Sequence, residues 1–145
     1  MSINNIFDIA GSAMTAQSVR LNTVASNIAN AESAASSVET TYRARKPVFA
    51  AVQQQALAAA MGASPEQEAG KGVQVLGVVE SQAPLDMRYE PNHPLANEEG
   101  YVMYPNVNVV EEMADMISSS RSFQMNVEVM NSAKSMMQRV LTLGQ

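Results

Sequence analysis

The sequence predicts a mainly α chain with a small β-rich middle, in which long N- and C-terminal helices pair as a coiled coil around an inserted module of short strands. Three observations carry that expectation. Residues 107–143 hold a three-then-four spacing of apolar positions without Pro or a breaking Gly until Gly144, the pattern of a helix packed lengthwise on another. Residues 1–31 hold the same spacing. Between them the period shortens to two, and Pro and Gly enter. The predicted segments are 1–31 for the first helix, 32–106 for the middle module and 107–145 for the last helix.

In the first segment Ile3, Phe7, Ala10, Met14, Gln17, Leu21, Val24, Ile28 and Ala31 form the seam. Gly11 is its flaw, costing about 1 kcal/mol relative to Ala inside a helix. Ile9, Ala16 and Val19 lie off the seam, so this helix is expected to be covered on more than one side.

Residues 32–41 are Ser, Ala, Glu, Thr and one Val, and read as loop. From Tyr42 to Gln53 the chain alternates around Val48, Ala50 and Val52, with Pro47 marking an edge strand. Residues 54–72, rich in Gln, Ala, Gly and Glu, read as a mobile insertion. Val73, Val75 and Val79 define the clearest strand. Pro84, Pro91 and Pro94 break up the next segment, and Gly100–Tyr104 makes another short strand before Pro105. So few apolar residues make the middle a marginal domain on its own.

The last segment begins with Asn108 at the N-cap position and Glu111 three residues later, a capping box. Glu111, Glu112 and Asp115 crowd the first turns and Lys134 and Arg139 lie near the end, the order that suits the helix dipole. The predicted seam runs Met113, Met116, Ser120, Phe123, Val127, Met130, Lys134, Met137 and Leu141, broken only by Ser120 and Lys134. Met125, Val129, Met136 and Leu143 make a second stripe on the opposite side, with mostly Ser, Asn and Gln between the stripes. Two stripes mean burial on two sides, either between neighbouring chains or inside one globular domain.

Composition narrows the function classes. The 145 residues include 11 Met but only three Phe, four Tyr and no Trp, so little area comes from aromatic groups. Methionine suits interfaces that accept slightly different neighbours, and equally a methionine-filled core. A net charge of -5 opposes nucleic-acid binding, and Arg43, Arg45 and Lys46 are too short a basic cluster to reverse it. No apolar run approaches the roughly 20 residues of a membrane span, so membrane insertion is not expected. The first residues have neither a basic start nor an apolar block, unlike a cleavable secretory signal. With no Cys there are no disulfides or thiolate sites. His93, between Asn92 and Pro94, is the single histidine and reads as a turn residue. There is no phosphate loop, nucleophile elbow or His-containing triad; no cofactor, metal or enzymatic activity is expected.

Leu21-Asn-Thr-Val-Ala-Ser-Asn-Ile-Ala-Asn-Ala31 resembles the N-terminal signature of the bacterial flagellar rod and hook family. Tyr89-Glu-Pro-Asn-His-Pro-Leu-Ala96, Gly100–Met113, Ser120–Met130 and Leu141-Thr-Leu-Gly144 are similar to its proximal-rod members, as is the short length. After the signature the wider family carries Asn-Thr-x-Gly-Tyr, whereas here Ala31-Glu-Ser and a longer loop lead to Tyr42-Arg-Ala-Arg45, which also fits a proximal-rod member. The resemblance implies a structural subunit without cofactor, exported by the flagellar type III apparatus without a cleavable signal. Such subunits form a homo-oligomeric helical tube with other rod proteins and the basal-body base, and the rod crosses the periplasm, encloses the export channel and carries torque to the hook. Phe7, Met14, Leu21, Val24, Ile28, Met113, Met116, Phe123, Val127, Met130, Met137 and Leu141 would then be its assembly seam. Met125, Val129 and Met136 would meet other subunits, and Asn27 and Asn30 would either hydrogen-bond across subunits or cap the helix end. A reading of another class is a soluble adaptor or export chaperone holding a client in a Met-rich helical groove.

Overall fold

A computed structural model describes residues 3–52 and 72–143, with the side chains of Ile3 and Leu143 left aside. The order of elements is α1 (Ile3–Asn30), β1 (Arg45–Ala51), β2 (Val73–Glu80), β3 (Asp86–Tyr89), β4 (Tyr101–Tyr104) and α2 (Val109–Leu143). The chain is thus mainly helical with a small β middle. The expected insertion at 54–72 lies outside the described residues except for Gly72. Among the described residues no helix is long and apolar enough to cross a membrane.

α1 is 28 residues long. Its last residue is Asn30, whose Nδ2 donates to the Ser26 carbonyl one turn back at 2.8 Å. α2 is 35 residues long and starts as its sequence predicts. The Asn108 side-chain oxygen accepts from the Val110 and Glu111 amides at 3.1 and 3.5 Å, as an N-cap does.

The chain falls into two compact units, each drawing on both helices. One takes α1 through Val19, β1 from Val48, β2 through Leu76 and α2 from Ser119. The other takes α1 from Arg20, β1 through Pro47, β2 from Gly77, the β3–β4 hairpin and α2 through Ser118.

The strands form two two-stranded sheets, β1–β2 and β3–β4. Backbone bonds flank the first sheet at both ends, from Val52 N to Gly72 O (3.0 Å) and from Ser81 N to Ala44 O (2.7 Å), so its strands run antiparallel. With two strands both are edges, which is how Pro47 sits inside β1 without a lost ladder bond inside a sheet. β3 pairs antiparallel with β4 from Asp86↔Tyr104 to Tyr89↔Tyr101. β3 is not predicted by the sequence: its four residues lie between prolines, all are exposed, and no alternation announces them. It is held by partnership with β4, whose Val102 and Tyr104 are buried.

On the other edge of β4, Ala35 and Met103 exchange backbone bonds at 2.9 and 3.1 Å, so the predicted loop at 32–41 contains an isolated bridge. The hairpin connection is ordered by Asn97, whose Oδ1 accepts from Glu99 N and Tyr101 N at 3.0 and 2.8 Å. His93 Nδ1 accepts from Leu95 N at 3.1 Å, a turn role. At Gly100, φ is +82°, and a Cβ would lie 2.9 Å from the Tyr89 ring and 3.2 Å from Pro91. Only glycine meets both demands.

The buried apolar residues are small. Among the described residues they are Ala10, Ala16, Val24, Ala44, Val102, Tyr104 and Ala133. No described methionine is buried, so a methionine-filled core is not what this chain builds. Methionines are instead half-buried or exposed, where a further surface could still cover them.

Candidate assembly site

The two helices are covered very differently. On α1 the exposed positions after the first turn are Asp8, Thr15, Ser18, Asn22, Ala25 and Ala29, a narrow small and polar stripe at helical spacing. Of the residues expected on its seam, Val24 is buried, and Phe7, Met14, Leu21 and Ile28 are half-buried. Ile9, Ala16 and Val19 on the other side are covered too.

On α2 Glu112, Ser119 and Ala133 are buried, and Met116, Ser120, Phe123, Asn126, Val127, Met130 and Met137 are half-buried. Within the chain cover is thus displaced by one residue from the predicted seam at Met113 and Lys134. Met116, Phe123, Met130 and Met137 lie on the covered line, and Val127 beside it is half-buried. Met113 and Leu141, expected on it, are 53% and 67% exposed, and Lys134 is also exposed. Beside Met113, Ser120 and Lys134 lie Glu112, Ser119 and Ala133, all buried. The reason is steric: small residues let a helix backbone approach its neighbour closely while Phe and Met fill the alternate positions. Ser120 and Lys134, which interrupt the predicted seam, are neighbours of that closer line. The signal was available as Ser119, Asn126 and Ala133 recurring every seven residues, but a search for large apolar groups passes over it.

Met125, Val129 and Met136 are 59%, 47% and 58% exposed, and Val140 is exposed beside them. They belong to one compact unit. In the other, Val110, Met113 and Ile117 are exposed at the start of α2.

Asn27 corrects a second expectation. It is 1% exposed and inside the chain. Its Oδ1 accepts from the Arg45 amide and the Tyr42 hydroxyl, both at 2.9 Å, and its Nδ2 donates to the Arg45 carbonyl at 2.8 Å. Its amide also favours the ionised form of the Glu112 carboxylate of α2. An amide side chain has two N–H groups and two lone pairs, and three of these four positions are used by Arg45 and Tyr42 of the same chain. Asn27 instead stands in for a strand, satisfying both backbone groups of the first residue of β1 while tying that strand to both helices. The Asn30 side chain is engaged within α1, at the Ser26 carbonyl.

The groups around Asn27 were not singled out by sequence. The Arg45 guanidinium lies 5.5 Å from the centre of the Tyr42 ring and 3.4 Å from Glu80. Asn106 accepts from Ala44 N at 2.8 Å and donates to the Ala83 carbonyl at 2.9 Å. Burial pushes the Glu112 carboxyl above its ordinary range, against the hydrogen bond from Asn27, which favours the ionised form. In the other unit Ser12 Oγ donates to the Ile9 carbonyl at 2.8 Å and accepts from Val73 N at 3.1 Å. Gly72 has φ +121°, and a Cβ there would collide with Ser12 Oγ, so glycine is required where β2 meets α1.

One helix is largely covered by its own chain, whereas the second carries exposed Met, Val and Ile. Residues 7–32 match the family model described as flagella basal body rod protein, and residues 98–143 the one described as flagellar basal body rod FlgEFG protein C-terminal. Over 145 residues, and the full length of both chains, the sequence is 52% identical to the flagellar basal-body rod protein FlgC of Salmonella typhimurium and 49% to that of Yersinia enterocolitica. It is 36% identical to the Bacillus subtilis protein of the same name, again with both chains covered throughout. The chain belongs to the FlgC family of flagellar basal-body rod proteins. It is a structural component of the flagellar basal body and not an enzyme.

Proposed function

We propose that this rod subunit polymerises through its terminal helices into a helical tube that carries torque from the motor to the hook and surrounds the export channel. Copies of the same chain, other rod proteins and the basal-body base are its neighbours. It reaches its place in the rod, across the periplasm, through the flagellar type III apparatus.

The observation supporting this reading is the open side of α2, where Met125, Val129 and Met136 stand exposed on a helix that already has a covered side. Exposed Met113 and Leu141 extend the same role: each meets a neighbouring chain and not the helix of its own. The half-buried Phe7, Met14, Leu21 and Ile28 complete their burial in the same assembly.

The test is the double variant Met125→Asp/Val129→Asp. In the free chain both aspartates face water and stability changes little. At an interface each would be a buried unpaired carboxylate, costing several kcal/mol per contact. The variant is expected to be made and exported but to leave cells without hooks or filaments. Normal motility, with the variant present in purified basal bodies, would overturn the reading.

A further inference from the structure

The nine described methionines divide by cover: Met14, Met103, Met116, Met130 and Met137 are half-buried, whereas Met87, Met113, Met125 and Met136 are exposed. Met125 and Met136 share a face of α2 with Val129 and Val140, since residues four, eleven and fifteen positions apart fall within about 60° of arc at 3.6 residues per turn. Met130 and Met137 lie on the covered line of the same helix. One element within one compact unit therefore carries two exposed methionines and two half-buried ones.

We infer that Met125 and Met136 form an oxidation site that controls whether a free subunit can enter an assembly. The oxidant is a peroxide. A lone pair on the thioether sulfur attacks one peroxide oxygen, a sulfur–oxygen bond forms and the oxygen–oxygen bond breaks. The departing oxygen takes the proton and leaves as water. The sulfur loses two electrons and the peroxide gains them. The product replaces a flexible apolar side chain with a polar, chiral sulfoxide in the middle of an apolar face. An interface that accepts Met125 and Met136 as apolar groups must then desolvate two S=O dipoles without partners. The chain has no cysteine, so thiols do not compete for the oxidant. Once a neighbour covers the face the sulfurs are shielded, so sensitivity is confined to subunits not yet assembled. That consequence rests on the proposed assembly surface, whereas the selectivity of oxidation rests on exposure alone.

The experiment has two arms. Full-length purified chain is titrated with hydrogen peroxide and the sulfoxide at each methionine is followed by peptide mass spectrometry. Met125 and Met136 are expected to react several-fold faster than Met130 and Met137. Equal rates would overturn the site. In the second arm, cells making the wild-type chain or Met125→Leu/Met136→Leu assemble flagella during a sublethal peroxide pulse, and hook-bearing basal bodies are counted. Leucine preserves apolar volume without a sulfur. The wild type should lose hooks several-fold and the leucine variant, which keeps the exposed Met113, markedly fewer. Equal loss in both strains, with selective oxidation intact, would overturn control of assembly by this pair. Normal assembly of Met125→Asp/Val129→Asp would instead remove the surface itself and leave the oxidation rates standing.

Discussion

The two helices of this chain have similar length and the same three-four grammar, yet their own chain covers one far more than the other. α1 shows water only a narrow small and polar stripe. α2 buries one line, made partly of small and polar groups, and leaves Val110, Met113, Ile117, Met125, Val129, Met136, Val140 and Leu141 exposed. The middle segment produces much of the asymmetry. β1 and the chain leading to it are hydrogen-bonded to Asn27 of α1, and β2 begins on Ser12 of the same helix. The contrast is a division of labour within the chain, with α1 anchoring the fold and α2 exposing an apolar face.

The sharpest way to break that contrast is at Asn27. Replacing it with Ala leaves the backbone N–H and C=O of Arg45, the Tyr42 hydroxyl and the Glu112 carboxylate without their buried partner. The expected cost is about 3 kcal/mol or more, read as a lowered midpoint in urea unfolding. On the open face of α2, Met125→Ala should shift that midpoint by no more than about 0.5 kcal/mol. Equal costs at the two positions would end the distinction between an anchored and an open helix.

The next largest effect tests the one-residue shift of the covered line. Ala133 is 3% exposed, so Ala133→Leu must force its surroundings apart and is expected to cost about 1–3 kcal/mol. Lys134→Leu, at the exposed neighbouring position, should stay within about 0.5 kcal/mol. The reverse order in thermal or urea unfolding would restore the seam predicted from sequence.

Gly11 offers a finer probe of α1. A Cβ there would meet nothing within 4 Å outside its own helix, so Gly11→Ala should stabilise the free chain by about 1 kcal/mol, seen as a raised Tm. A loss of stability would mean that α1 is more tightly packed at Gly11 than this structure shows.

The smallest effect concerns Glu112, where the two helices meet. Its carboxyl titrates above the ordinary glutamate range because it is buried, so the native chain holds a proton that the unfolded chain releases more readily. By linkage its contribution to stability is fully present below the unfolded pKa and is lost as pH rises through the higher folded pKa. Glu112→Gln keeps an acceptor for Asn27 and removes the titration. The variant should gain stability relative to the wild type at neutral pH and show a flatter profile through that window, measured by urea unfolding across pH. An unchanged profile would show that Glu112 does not set the slope.

How much of the fold is legible in the sequence differs from element to element. The N-cap at Asn108 is legible because capping is local, needing only an oxygen placed to meet amides two and three residues on. β2 is legible from its alternating valines, and β4 from the run between Gly100 and Pro105. β3 is not, since its strand character is supplied by β4. The exposed stripe of Met125, Val129 and Met136 is visible as helical spacing, but spacing alone does not say whether a stripe faces its own chain or open space.

Which segments are helical, where α2 begins, and that large apolar groups lie on more than one side of both helices can all be read along the chain. These properties come from period, capping and propensity, which act over a few residues. That Asn27 belongs to the interior of the subunit is a matter of three-dimensional packing, because its partners Tyr42 and Arg45 lie 15 and 18 positions away in sequence. Packing also decides that the covered line of α2 passes through Ser119 and Ala133 and not through Ser120 and Lys134. Positions one residue apart on a helix differ by about 100° in direction, and both heptad readings include Met116, Phe123, Met130 and Met137. The choice between them depends on how closely the surrounding chain can approach the helix, which is a property of packing in three dimensions.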